Sequence, residues 1–393
     1  MKGAGIRVVH SFPVWLPQTQ TWMYNQVKYL PENVESHIVC ERTEHLDQFH
    51  VPNIHCMYEI SRVRYFWEKG IRNLGLPQYR RFLKNISTSV GAQILHSHFG
   101  HIGWNDNSAA KQTGIKHVIT YYGSDVSMLP AQDKRWLSRY KELFSEGDLF
   151  LCEGPHMAQR LIALGCPKEK IKVHHLGVSI DSIPFRQRRW RSTEPLSVLI
   201  VASFREKKGI PGALEALAQF QQIVPIKITI IGDANSEASS KKEKRRILEI
   251  IEKAGLRPKT RLLGYQPYSV IFDEAYKHHV FISPSLTAAD GDTEGGAPVS
   301  LIEMMATGMP VVSTLHCDIP EVVQYGIENW LVEERDVAGL VDKLQWLVVH
   351  SAEWDKMLAR GRRHVEVEFN APLQGKRLEN TYRDILATVG HGT

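Results

Sequence analysis

The 393-residue chain has 43% hydrophobic and 23% charged residues, which supplies a packed core and excludes a disordered or low-complexity chain. Its length exceeds the roughly 250 to 300 residues at which one core stops growing, so two domains are expected. A formal charge of +5 admits an anionic ligand or an anionic membrane surface, and nucleic acid is not expected as a partner.

No apolar run approaches the roughly 18 to 20 residues that span a bilayer. The opening MKGAGIRVVHSFPVWLPQ lacks the apolar stretch of a secretion signal, so cytoplasmic residence is expected. Five cysteines, Cys40, Cys56, Cys152, Cys166 and Cys317, are scattered without a CxxC pair. They suit a reducing compartment as buried thiols.

In chain order, the first half reads as strands at Ile6 to Phe12, Val34 to Cys40, Asn53 to Tyr58, Gln93 to His98, His117 to Tyr122, Asp148 to Cys152 and Lys170 to His175. Helices are expected at Thr21 to Leu30, Gln132 to Glu146 and Pro155 to Leu164. From Arg62 to Lys84 seven basic residues face one acid, Glu68, and are interleaved with Tyr65, Phe66, Trp67, Tyr79 and Phe82. That mixture suits contact with anionic lipid; the alternative is a solvated helical face with its aromatics turned inward. His96 and His98 form an H-x-H pair that puts two imidazoles on one strand face, with His101 nearby. A metal-dependent hydrolase could be built on such a pair, but a third ligand is missing and no metal is expected. Arg186, Arg188, Arg189 and Arg191 read as a solvated linker.

The pattern then restarts with a strand at Leu196 to Phe204, a helix at Ile210 to Gln222 and a strand at Ile226 to Gly232. It continues with a helix at Lys241 to Ala254, strands at Arg261 to Leu263 and Val280 to Pro284, a helix at Val299 to Thr307, a strand at Pro310 to Ser313 and three terminal helices. Alternation of short strands with helices builds parallel sheets from βαβ units. The fold class is therefore α/β, with two Rossmann-like, doubly wound domains at 1–185 and 186–370. A last helix at 371–393 is expected to cross back to the first. Ligands of such domains bind at strand carboxyl ends, which two facing domains would turn into a cleft.

Residues 283 to 312, SPSLTAADGDTEGGAPVSLIEMMATGMPVV, run from a strand through an acidic, glycine-rich loop into a helix beginning near Pro298. A helix start offers free N–H groups to an anion, and Gly295 and Gly296 leave room for phosphate or sugar to approach the backbone. Glu294 and Glu303 bracket the loop as acceptors for sugar hydroxyls. The alternative is that Asp290, Asp292 and Glu294 are solvated loop acids and Glu303 an ordinary helical glutamate. Asp290-Gly291-Asp292 also spells a DxD, which is read as loop.

The segment EGGAPVSLIEMMATGMPVV resembles the E-x7-E signature of the retaining GT-B glycosyltransferases of family 4 (glycosyl transferases group 1). The resemblance implies that Glu294 contacts donor-sugar hydroxyls, that Glu303 holds the ribose, and that amides around Gly295, Gly296, Val299 and Ser300 meet sugar and phosphate. Eight residues rather than seven separate the two glutamates here, and the extra one falls between Glu294 and Pro298. VASFREKKGIPGALEAL, residues 201 to 217, resembles the family's diphosphate-gripping segment. Lys208 takes the lysine's place, while Ser203 stands where the arginine usually falls and Arg205 lies two residues on. A cationic strand end of this kind stabilises a diphosphate leaving group; the alternative is a surface helix start with a solvated EKK. FPVWLPQTQTWMYNQVKYL resembles the family's first loop and helix, with Thr19 among the phosphate-contacting candidates. HSHFGHIG and TYYGSDVS match further family positions, placing His98 and Asp125 on the acceptor side. Tyr122 replaces the histidine common there, as a neutral donor to phosphate or sugar or as a cleft wall. Asp125 alternatively orders the turn or caps a following helix.

The resemblance implies a retaining, metal-independent enzyme with no cofactor beyond a nucleotide-sugar co-substrate, UDP-linked by preference and GDP-linked as the alternative. The acceptor would be a saccharide or lipid-linked saccharide of cell-surface polysaccharide or glycolipid synthesis, handled by a cytoplasmic or inner-face peripheral enzyme. A sugar-nucleotide epimerase of the same fold is the alternative, and the histidine-based hydrolase is the third reading.

Overall fold

The computed structural model describes residues 5–16, 21–47, 49–73, 81–327 and 329–387. The chain divides into two compact units, Met1–Ser179 with Asn370–Thr393, and Ile180–Phe369. The division falls before the boundary expected at residue 185, because Arg362 binds the carbonyls of Ile180 and Ile183 and ties that segment to the second unit.

The first unit holds β1 (Ile6–Trp15), β2 (Val34–Thr43), β3 (Ile54–Cys56), β4 (Ile94–His98), β5 (Lys116–Thr120), β6 (Leu149–Cys152) and β7 (Ile171–Val173). They form a parallel sheet in the order β3-β2-β1-β4-β5-β6-β7. Leu378, Tyr382 and Ile385 of the helix Ala371–Ala387 pack on Ile6, Val8, Ile94 and Val118 of this sheet. Gly375 permits that docking, since a Cβ there would overlap the carbonyl of Tyr29.

The second unit holds β8 (Leu196–Val201), β9 (Ile226–Ile231), β10 (Thr260–Leu262), β11 (Val280–Ser283) and β12 (Val311–Ser313), parallel in the order β10-β9-β8-β11-β12. The strand order reverses between β8 and β11, and it is outside such a reversal that open α/β sheets bind ligands. Two chain segments leave the sheet there. Gly209, with φ of +63°, lets them meet: a side chain on it would run into the carbonyl of Pro284.

Several elements differ from their sequence expectations for identifiable reasons. β3 ends at Cys56 and passes directly into the helix Met57–Ile60, since only three of its residues pair with β2. Asp133 is extended and accepts the backbone N–H of Arg135, so the expected helix over 132–146 begins at Arg135. The helix Gly100–Thr113 has no apolar stripe to announce it, because Gly100 and Gly103 form its contact with Tyr121 and Ile119. Arg188, expected in a solvated linker, is buried instead. Its guanidinium donates to the carbonyls of Arg186, Ala275, His278 and Thr307, which satisfies a planar, five-donor cation without a carboxylate.

Candidate active site

The segment after β8 turns sharply, with Arg205 N–H bonded to the Ser203 carbonyl and Lys208 N–H to that of Arg205. This turn sends three cations toward the loop after β11. Lys208 Nζ lies 2.8 Å from Glu294 Oε2, and Lys207 Nζ reaches Asp292 Oδ1 at 3.2 Å and the Thr293 carbonyl at 2.8 Å. Arg205 Nη2 meets Asp292 Oδ2 at 2.7 Å. Ser285 donates to the second oxygen of Glu294 at 2.9 Å. Burial by itself would raise the Glu294 carboxyl, but the ammonium groups of Lys208 and Lys207 and the bonds from Lys208 and Ser285 hold it down at about 2. The cluster contains Arg205, Lys207 and Lys208 against Asp292 and Glu294, so one positive charge remains for an anion.

Glu303 sits in the helix Val299–Ala306, and its environment is the opposite. Its carboxyl is buried and receives the hydroxyl of Tyr268 at 2.6 Å. Burial pushes it up to about 7, a rise that the Tyr268 bond only moderates. Glu294 is thus fixed as an anion, whereas Glu303 stands at the edge of ionisation. Pro298 lies just outside the helix start, where no side chain caps the free amides at Val299 and Ser300, and Gly295 has a φ of +79°.

The structure joins Lys208 to Glu294 and Arg205 to Asp292 across the segments that follow β8 and β11; Ser203 precedes Arg205 in the first segment, and Gly295, Gly296, Val299, Ser300 and Glu303 follow Glu294 along the second segment and its helix. Two of the alternative readings are overturned at residues beside these. Lys207 is not part of a solvated EKK, and Asp292 is not a solvated loop acid: both are buried, against each other. Arg205 reaches the site by loop curvature beyond the end of β8 and is held by Asp292. Tyr268, Ser285, His316 and Glu334 were missed; only the register of Ser283 opposite Ser313 could have placed residue 316 near residue 285.

In the first unit, Thr19 lies outside the described residues. His98 is fully buried, with Nδ1 on the Tyr122 hydroxyl at 2.6 Å and Nε2 on His10 Nδ1 at 3.1 Å. Tyr122 in turn donates to Gln26 Oε1 at 2.9 Å. Asp125 accepts the amides of Gly100, Tyr122 and Gly123, and so orders the turn; the helix whose first amide it binds is the preceding Gly100–Thr113, not the one that follows. His98, Tyr122 and Asp125 each have internal hydrogen-bond partners within this unit.

The strand pairing also supplies the third histidine that the sequence lacked, since His10 on β1 lies opposite His96 on β4. One nitrogen each of His10, His96 and His98 falls within 4.8 Å of the others. The geometry is nevertheless that of a hydrogen-bonded stack. The rings of His96 and His98 lie face to face at 4.2 Å, and His96 spends its two nitrogens on Tyr382 and Thr120. Burial keeps all three imidazoles neutral, His10 down to about 3. In this arrangement both nitrogens of His96 and both of His98 are engaged in hydrogen bonds.

Two family descriptions match the chain in succession: Glycosyltransferase Family 4 over residues 19–182 and Glycosyl transferases group 1 over residues 183–364. The chain belongs to this glycosyltransferase family, and its two parallel-sheet units are those of the GT-B fold. It is 35% identical over 303 residues to the putative colanic acid biosynthesis glycosyltransferase WcaL of Escherichia coli, covering 75% of this chain and 71% of that one. It is 34% identical to the amylovoran biosynthesis glycosyltransferase AmsK of Erwinia amylovora, covering 73% and 69%. Among solved structures, a glycosyltransferase from Rickettsia africae aligns with a TM-score of 0.74 at 16% identity, covering 97% of this chain and 99% of that one. Anabaena Alr3699/HepE in complex with UDP-glucose aligns with a TM-score of 0.72 at 13% identity, covering 96% and 100%.

Proposed function

We propose that this glycosyltransferase is a retaining, metal-independent enzyme of cell-surface polysaccharide synthesis. It moves a sugar from a nucleotide-sugar donor, UDP-linked by preference and GDP-linked as the alternative, to a saccharide or lipid-linked saccharide. The observation that carries this reading is the cluster of Arg205, Lys207 and Lys208 against Asp292 and Glu294, beside a buried Glu303 at the sheet reversal. Support for the pathway comes from the colanic acid and amylovoran relatives, and for the donor from the fold neighbour that holds UDP-glucose.

Lys208, assisted by Arg205, takes the diphosphate, and Glu294 turns from Lys208 toward the sugar hydroxyls. Glu303 accepts ribose hydroxyls. As the bond from the anomeric carbon to the phosphate oxygen breaks, its electron pair goes to the diphosphate and the cations stabilise the growing charge. The acceptor hydroxyl attacks on the same face and passes its proton to a phosphate oxygen. No metal is required, because the excess positive charge comes from side chains.

The enzyme works at the surface of an anionic membrane. Among the described residues no helix is long and apolar enough to cross a bilayer. The helix Arg62–Asn73, however, exposes Val63 (83%), Phe66 (59%) and Trp67 (70%) on one face, while Tyr65 turns into the core. Apolar residues at i, i+3 and i+4 on a basic helix suit the headgroup boundary. A panel of UDP- and GDP-sugars, read by thermal unfolding, tests the donor assignment. A raised Tm with one nucleotide series is expected; no shift with any member overturns it.

A further inference from the structure

Behind the loop that carries Glu294 stands a pair of side chains that the proposed chemistry does not use. His316 follows β12 and is 1% exposed. Its Nε2 accepts the backbone N–H of Glu294 at 3.1 Å, and its Nδ1 donates to Glu334 Oε1 at 2.6 Å. A ring that accepts on one nitrogen and donates on the other is a neutral imidazole of fixed tautomer. Glu334 is saturated in its turn. It receives the N–H of Thr287 at 2.8 Å and the Thr287 hydroxyl at 3.2 Å.

Thr287 lies on the limb of the loop that leaves β11, and Glu294 on the limb that returns to the helix Val299–Ala306. One histidine–glutamate pair therefore grips both limbs. Such a grip is needed here, because Glu294 precedes two glycines and stands one residue further from Glu303 than the family spacing. Glycines leave the main chain free to rotate, so local geometry alone does not fix where the Glu294 carboxylate points.

We infer that His316 and Glu334 are positioning residues that set the register of the β11 loop and thereby hold Glu294 within reach of the donor sugar. This rests on the reading that Glu294 contacts the sugar. Neither residue touches substrate in this account; they act through the Glu294 backbone.

The test uses the full chain with His316→Leu, His316→Gln and Glu294→Gln. Two readouts are taken: hydrogen exchange at the Glu294 amide without ligand, and calorimetric affinities for UDP against UDP-glucose and GDP against GDP-mannose. Loss of one hydrogen bond to the amide should speed its exchange roughly tenfold in His316→Leu and weaken the sugar nucleotide relative to the bare diphosphate by a similar factor. His316→Gln, whose amide oxygen can still accept from Glu294, should recover most of both. Exchange unchanged in His316→Leu, or equal loss of the diphosphate and the sugar nucleotide, overturns the inference. If Glu294→Gln leaves the affinity ratio untouched, or the wild type binds neither nucleotide, the donor reading fails and the exchange result alone decides whether the clamp exists. Should His316→Leu not fold, Glu334→Ala carries the same two readouts from a partly exposed position.

Discussion

With Glu303 as the proposed ribose acceptor, donor binding should depend on pH. Its carboxyl is pushed by burial from the ordinary 4.5 up to about 7, and only the ionised form accepts two ribose hydroxyls. The ionised fraction then rises about tenfold between pH 6 and pH 8, which is about 1.4 kcal/mol of binding free energy. Calorimetric titration with the bare nucleoside diphosphate should therefore show affinity about tenfold higher at pH 8. Glu303→Gln should flatten that profile and bind at least as weakly at pH 8 as the wild type does at pH 6. Stability moves the other way. A carboxyl whose folded value is raised stabilises the fold relative to its ionised form at low pH, and that contribution disappears as pH climbs from about 4.5 through about 7. The ligand-free wild type should thus lose Tm relative to Glu303→Gln as pH rises across this window. A flat binding profile in the wild type, with Glu303→Gln equal to it at pH 8, would refute the ribose assignment.

Lys208→Met should depress kcat by about a hundredfold or more, since one group facing developing oxyanion charge is worth roughly 3 to 4 kcal/mol; a change confined to KM would make Lys208 a ground-state binder. Asp125→Ala should destabilise the first unit by at least about 3 kcal/mol in denaturant unfolding, because three amides lose their acceptor. Retained stability would return Asp125 to the acceptor side. EDTA should leave turnover intact, and activity lost to chelation but restored by a divalent ion would bring back a metal reading. Replacing Phe66 and Trp67 together by Ser should lower binding to anionic liposomes at least about tenfold at fixed salt while sparing a short soluble acceptor; binding equal to wild type removes the membrane from the proposal.

What could be read from the sequence followed from period and spacing. β8 (LSVLIV), β9 (IKITII) and β11 (VFIS) are short, mostly apolar runs, as strands buried on both faces must be. The loop from Pro284 to Pro298 stood out because it is glycine-rich and acidic between a strand and a helix. Lys207 and Lys208 show the limit: adjacent and chemically identical in sequence, they are separated by a turn that buries the first on Asp292 and aims the second at Glu294. His316 and Glu334 come from segments whose approach depends on strand order, which no local pattern records. The helix Gly100–Thr113 escaped because its buried residues include Gly100, Gly103, Asp106 and Asn107 beside Ile102, Ala109 and Ala110, which leaves little hydrophobic signal.

The helix Ala371–Ala387, which packs its Leu378 and Tyr382 on the first sheet, also imposes an order on the birth of the molecule. The second unit is in effect an insertion between two pieces of the first, which stays short of one layer until the helix Ala371–Ala387 has been made. A ribosome releasing this chain has already exposed all of Ile180–Phe369, which is contiguous and able to fold as a unit. The sheet formed by β1 and β4 meanwhile waits with an apolar face uncovered. Chaperone demand during synthesis should therefore fall on the unit whose strands are made first, and a premature stop near residue 369 would leave the second unit complete beside a first unit that never closes its core.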